Sequence, residues 1–386
     1  MAVSSGFWLA AVLFLVQYAL LAVAQAVWLY DPQYSGADFT LTYLAALRGL
    51  QGDSPYIPYL NYYRPPFSLT YIAPLTIFSD LTALAILRVI DAAAYALALP
   101  ATLFVAVREG VASAVSPRLG ALIAVLWFAT AIFHHDLYSG QVNGIVLLAM
   151  VGSYILWRHQ RRAFAGLLLA TAVLTKAFPI LLAVLWLRKR DYRALAWLAI
   201  GIGAGILLPI LLFGVEANVD YVRIAPYIAA FAASSFDLNL SPGSVAALVV
   251  RGLELPGELV VAVAGRMLSI VAFLAGAMQL SQEIRRPFIA LEFAFVLSLL
   301  MVGGQLIEYD HVMFVMPGAV IVFLTLVARR LPVTWFVWLG VALELIQLNS
   351  LSEYALRFPS ATIGYLLLCG LCGKLLVRYR IETQVR

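Results

Sequence analysis

The chain has 386 residues, of which 63% are hydrophobic and 12% charged, with a formal net charge of +5. Repeated uncharged apolar windows of membrane-spanning length exclude a soluble globular domain. The basic residues lie in short clusters between apolar runs, where they act as a topology signal, so no nucleic-acid partner is expected.

The apolar runs are continuous rather than alternating, which excludes a closed β-barrel and predicts an all-α, polytopic transmembrane helical bundle. Predicted spans are 7–29, 83–107, 119–135, 143–157, 193–213, 258–280, 287–305, 312–327, 332–348 and 360–377. No basic residue precedes the first, and its apolar core is longer than that of a signal peptide, so it is expected to be retained.

The first external loop is expected over 30–82. From Asp38, the residues Phe39, Tyr43, Ala46, Leu47 and Leu50 recur at helical spacing, which predicts a short interfacial helix ending near Gly49 or Gly52. At its start Asp38 is placed to cap free backbone N–H groups. Pro65 and Pro66 then enforce an extended entry into a second interfacial helix over 67–78, too short to span.

Further on, "WRHQRR" (157–162), "RKRDYR" (188–193), "QEIRR" (282–286), "ARR" (328–330) and the C-terminal "RYRIETQVR" are placed in the cytoplasm by the positive-inside bias. Residues 163–187 are flanked by basic clusters on both sides, so a single crossing would put one cluster outside. A broken hairpin over 163–187 removes the conflict, with Lys176 and Pro179 near its middle. A kinked single span is the rival arrangement.

The remaining loops then fall on the external face: "FHHDLYSGQVN" (133–143), a second large loop over 214–256, "GGQLIEYDH" (303–311) and 349–359. They carry His134, His135, Asp136, Glu308, Asp310 and His311, and with Asp38 and Asp53 they predict a shared polar cavity at the outer interface. No internal repeat is evident. Gly201 and Gly205 have the spacing of close helix packing, and Cys369 and Cys372 lie in an apolar window as packing residues. Arg88, Asp91, Arg266, Glu292 and Glu344 lie in or beside spans; Arg88 and Asp91, three residues apart, are expected to pair on one helix.

The stretch "GADFTLTYLAALRGLQGDSPYIPYLNYYRPPF" (36–67) resembles the first-loop signature of glycosyltransferase family 87, and "SGQVNGIVLLAM" (139–150), "TKAFPILLAVLWLRKRDYRA" (175–194), "NLSPGSVAALVVR" (239–251) and "EYDHVMFVMP" (308–317) match in order. The resemblance implies a GT-C fold and a single integral-membrane enzyme domain over 1–386. It implies transfer of a hexose, mannose first, from a polyprenyl-phosphate carrier to a glycolipid or glycan acceptor on the non-cytoplasmic face of the inner membrane. Arabinose, glucose or galactose are the nearer alternatives to mannose, and a lipid or sugar transporter or flippase is the rival class. Transporters commonly show paired halves, which this chain lacks.

In that family the first external loop supplies a catalytic aspartate, and Asp38 occupies the motif position. Inverting transfer needs one carboxylate to take the acceptor proton, and a polyprenyl phosphate leaving group needs cationic neighbours. Asp38 is accordingly assigned as base and Lys176, His311 and Arg64 as the phosphate grip, with Tyr43, Tyr56, Gln141, Asn143 and Asn239 as sugar- or acceptor-binding residues. His134, His135, Asp136 and His311 have metal-ligand chemistry, but adjacent histidines on a helix point to different sides. A phosphate-carrier donor needs no chelating cation, so no metal or other cofactor is expected.

Overall fold

The computed structural model describes residues 36–56, 64–128, 130–234, 250, 258–280, 288–303, 309–348 and 360–384. The expected span 7–29 and the candidate Asn239 lie outside the described residues. Among those described, regular structure is helical throughout, as expected of a chain whose backbone polar groups must be satisfied within each apolar segment.

The chain enters the described region through Gly36, whose φ of 75° only glycine adopts freely, and forms α1 (Ala37–Leu50). The helix therefore starts one residue before Asp38, and Gly36 rather than Asp38 occupies the capping position. This corrects the expected capping role and leaves the Asp38 carboxylate available for other contacts. Helix α2 (Phe67–Ile72) continues as a 3₁₀ turn over Ala73–Ile77, and the two together are too short to cross a bilayer. Tyr43 anchors α1 to this unit by donating its hydroxyl to the Phe78 carbonyl at 2.7 Å.

Helix α3 (Asp80–Arg108) begins at a Ser79 cap that accepts from Thr82 N. Its 29 residues extend about 44 Å at ~1.5 Å per residue, more than the hydrocarbon core of a bilayer. The expected continuous span 119–135 is instead two helices, α4 (Pro117–Phe128) and α5 (Ala131–Ser139), bent by 46°. The cause of the restart is Thr130, whose hydroxyl accepts from Phe133 N at 3.2 Å and caps the second piece.

Helix α6 (Asn143–Arg158) runs away from the α5 end, and α7 (Arg162–Thr175) runs back toward it. At Lys176 the backbone turns extended (φ −140°, ψ 124°), followed by a 3₁₀ turn over Phe178–Leu182 and α8 (Ala183–Arg188). Helix α9 (Tyr192–Phe213) packs along α7. A Cβ on Gly201 would stand 2.6 Å from Ala170 Cβ, and one on Gly205 2.0 Å from a Leu174 methyl, so these glycines permit the close approach expected of them.

Within the segment 214–256, expected as a loop, Val215–Ser234 forms a further helix, α10. The second half comprises α11 (Glu258–Met278), α12 (Phe288–Gly303), a 3₁₀ segment over Tyr309–Val315, α13 (Met316–Ala328), α14 (Val333–Leu348) and α15 (Ser360–Gln384). Helices α12 and α13 are almost wholly buried and form the centre of the bundle, where Phe293 stacks on Tyr154 of α6 at 4.1 Å. Large apolar side chains of α9 and α11, Leu211, Val260 and Leu268 among them, face outward from the bundle. Cys372 is buried against Ser298.

Among the described residues three helices, α3, α9 and residues 362–379 of α15, are long and apolar enough to cross a membrane, or four if the bent α4–α5 pair is one span. At the end of α6 remote from α5, Arg158 pairs with Glu109 through two 2.8 Å bonds, Arg162 with Asp191, and Lys189 with Glu292. Arg88 and Asp91 each reach to another element: Arg88 donates to the carbonyls of Leu137 and Tyr138 at the end of α5, and Asp91 accepts from Ile145 N of α6. The arginine thereby satisfies carbonyls left open at the end of a helix, which a same-helix pair would leave unbonded.

Candidate active site

The site forms where α1, the α5–α6 turn and the Lys176 break converge. Gly140 ends α5 in left-handed backbone (φ 74°) and packs so tightly on α1 that a Cβ there would lie 2.6 Å from Phe39 Cβ. Gly36 N donates to the Tyr138 carbonyl, which ties α1 to the same turn. Gln141 follows directly, and its amide bridges two candidate residues. Its Nε2 donates to Asp38 Oδ2 at 2.5 Å and its Oε1 accepts from Arg64 Nη2 at 2.8 Å.

Gln141 is 6% exposed, whereas Asp38 and Arg64 are half-buried, so the bridge is held from beneath while both charged groups keep an open side. Tyr56 supports Arg64 by donating its hydroxyl to the Arg64 carbonyl at 3.0 Å, and its ring rests on Tyr221 of α10. The helix found in the 214–256 segment thus backs the first loop. Tyr43 is buried with its hydroxyl on Phe78, a role in holding α1 rather than facing a cavity.

Behind Gln141, Asn143 is fully buried and donates to Asp136 Oδ1 at 2.6 Å, while Tyr95 donates to Asp136 Oδ2 at 2.8 Å. Asp91, beside Asp136, accepts from the Gly144 and Ile145 amides at the start of α6, where Val142 supplies no side-chain cap. A residue of α3 thereby caps α6 from outside. The sequence gives a partial signal for this layer, since carboxylates inside apolar segments are costly and retained for a reason, but not which partner each takes.

On the far side, Lys176 Nζ lies 2.6 Å from His311 Nε2. His311 is buried between Phe178 and Phe314. The extended backbone at Lys176 turns this side chain out of the α7 ladder. Between the two halves stands Tyr71, beside Thr175 and within electrostatic reach of both Arg64 and Asp91; Lys176 in turn acts on Asp91. Burial pushes the Tyr71 hydroxyl up to about 12, so it stays neutral throughout the physiological range. Tyr71 and Asp91 thus lie between the Asp38–Gln141–Arg64 bridge and the Lys176–His311 pair, within the electrostatic influence of Arg64 and Lys176 respectively.

His134 points outward and Asp136 inward, and among the described residues no three His, Cys, Asp or Glu side chains gather into a ligand set. The structure thus brings Asp38, Arg64 and Gln141 together above the buried Asn143, and separately pairs Lys176 with His311, with Tyr56 supporting Arg64 and Tyr43 structural.

The profile of glycosyltransferase family 87 matches residues 62–304, more than half of the chain. The chain belongs to this family. No curated protein matches it. As a family 87 member it is a membrane glycosyltransferase, with a sugar donor and an acceptor as substrates. The match to family 87 includes Arg64, Gln141, Asn143 and Lys176, and its limits leave out Asp38 and His311, whose place rests on the geometry above.

Proposed function

We propose that this glycosyltransferase moves a hexose, mannose first among the candidates, from a polyprenyl-phosphate carrier to a glycolipid or glycan acceptor. The reaction takes place on the non-cytoplasmic face of the inner membrane, with inversion at the anomeric carbon. The observation that carries this reading is a half-buried carboxylate, Asp38, joined through Gln141 to the cationic Arg64, with a second basic pair, Lys176 and His311, at the break after α7.

In the proposed step the acceptor hydroxyl oxygen attacks the anomeric carbon as its proton passes to Asp38. The carbon–oxygen bond to the carrier phosphate breaks on the opposite face, and the electron pair leaves with the phosphate. A phosphodiester becomes a phosphate monoester of greater negative charge. Lys176, His311 and Arg64 are cationic or hydrogen-bonding groups placed to hold that charge where it develops. Asn143 has one amide face committed to Asp136, so its part is to fix the floor beneath Gln141. Asn239 remains a candidate sugar ligand.

The sidedness is supported by the ends of the helices. Arg162 at the start of α7 and Asp191 after α8 are bonded to one another, and Trp157 Nε1 also donates to Asp191. Segment 162–191 therefore returns to the level at which it began, as a hairpin entering from the basic, cytoplasmic end does, and presents Lys176 near its far tip.

The test is Asp38→Asn in membranes supplied with radiolabelled polyprenyl-phosphate mannose. The expected outcome is donor retention with transfer reduced by at least ~10²-fold, the scale of a lost general base. Wild-type transfer by a folded Asp38→Asn protein would sink the assignment of the base. Transfer from a nucleotide sugar instead would sink the donor class.

A further inference from the structure

At the end of the bundle opposite the active site, the turns preceding α7 and α9 are clasped together. Both Trp157 Nε1 and Arg162 Nε donate to Asp191 Oδ2 at 2.9 Å, and the other carboxylate oxygen accepts from Arg162 and from Ala194 N. Both oxygens of Asp191 are thus engaged. Around it Arg161, Arg190 and Arg193 are exposed, and none has a carboxylate partner among the described residues.

Both turns also pass through left-handed backbone at a non-glycine residue, Gln160 at φ 63° and Arg190 at φ 56°. That conformation, which Arg330 shares at φ 50°, costs on the order of 1 kcal/mol for an ordinary side chain.

Beneath the arginines lies an apolar floor. Phe164, three residues along α7 from Arg161, is 62% exposed, and Trp197, four residues along α9 from Arg193, is 38% exposed, with Ile200 beside it at 53%. The two helices touch here, since a Cβ on Gly166 would stand 2.6 Å from Trp197 Cβ. Three guanidinium groups therefore sit at the rim of a lipid-facing surface lined by two aromatic rings.

We propose that this corner binds an anionic phospholipid, its phosphodiester held by Arg161, Arg190 and Arg193 and its acyl chains laid on Phe164, Trp197 and Ile200. Guanidinium forks match phosphate oxygens, and basic clusters at a membrane surface draw anionic headgroups. A zwitterionic lipid brings its own cation and gains less from three uncompensated positive charges. A soluble phosphate would meet the arginines but make no use of the aromatic floor.

The experiment titrates the full chain in detergent with phosphatidylglycerol or phosphatidylcholine and counts bound lipids by native mass spectrometry. Wild type should retain phosphatidylglycerol at least tenfold more strongly, with the preference falling as salt rises. R161Q/R190Q/R193Q should lose that preference while melting normally in lipid-free detergent, and R118Q/R330Q, which removes exposed arginines elsewhere, should keep it. If the triple variant fails to fold, F164A/W197A serves instead and should weaken retention of the same lipid.

Three results would overturn the proposal. One is an undiminished preference in folded R161Q/R190Q/R193Q, or undiminished retention of phosphatidylglycerol in folded F164A/W197A. Another is an equal loss in R118Q/R330Q, which would mean diffuse attraction. The third is displacement of the lipid by glycerol 3-phosphate at matched concentration, which would mean that the floor contributes nothing.

Discussion

Gln141 offers the sharpest test of the candidate site, because one buried amide serves both Asp38 and Arg64. Gln141→Leu keeps the approximate volume of a side chain that is 6% exposed, so the packing around it should survive. What disappears is the 2.5 Å bond to the Asp38 carboxylate and the 2.8 Å bond from Arg64. A hydrogen bond to a charged group is worth about 1.5–3 kcal/mol, and ~1.4 kcal/mol is tenfold in rate, so kcat/KM should fall roughly 10- to 150-fold. Arg64 is half-buried and recovers water as a partner, so most of the loss belongs to the carboxylate. The assay is initial-rate incorporation of radiolabelled hexose from the polyprenyl-phosphate donor into lipid, normalised to folded protein by size-exclusion chromatography. Gln141→Glu places a second carboxyl group against Asp38 and should lose at least as much. A folded Gln141→Leu enzyme within about twofold of wild type would refute the view that this bridge positions the base.

Two further outcomes test the framework. Gly144→Ala forces a Cβ to within 2.5 Å of the Asp91 carbonyl and 2.6 Å of the Tyr95 ring. Overpacking there should cost about 1–3 kcal/mol and shift Gln141 with the start of α6. Melting temperature and transfer rate should therefore fall together, and a change in neither would show that the α3–α6 contact yields freely. At the opposite end, Lys189→Ala strands the buried Glu292 carboxylate, which should lower stability by about 3–5 kcal/mol, whereas K189M/E292L should recover most of it. Equal thermal melts for the single and double variants would contradict that account.

The sequence by itself determined the class. Apolar content, uninterrupted runs and basic clusters are properties of the chain that no packing can alter, and they were enough for an all-α polytopic bundle with interfacial helices in the first loop. The ordered motifs likewise carried the family and named Asp38, Lys176 and His311 as candidates, whereas the contact between Lys176 and His311 across 135 positions belongs to the tertiary structure. These signals are legible because each depends on residue type and local spacing.

Only the tertiary structure decided how side chains were spent. Asp38 became available because Gly36 took over the start of α1, and Gln141 became a bridge because Gly140 let α5 end against Phe39. Arg88 turned to the carbonyls ending α5 and Asp91 to the amides opening α6. Thr130 divided the span expected over 119–135, and α10 came to back Tyr56. The physical reason is common to all of these. A buried polar group must find a partner, local sequence offers several, and the nearest in space is fixed only when distant helices pack.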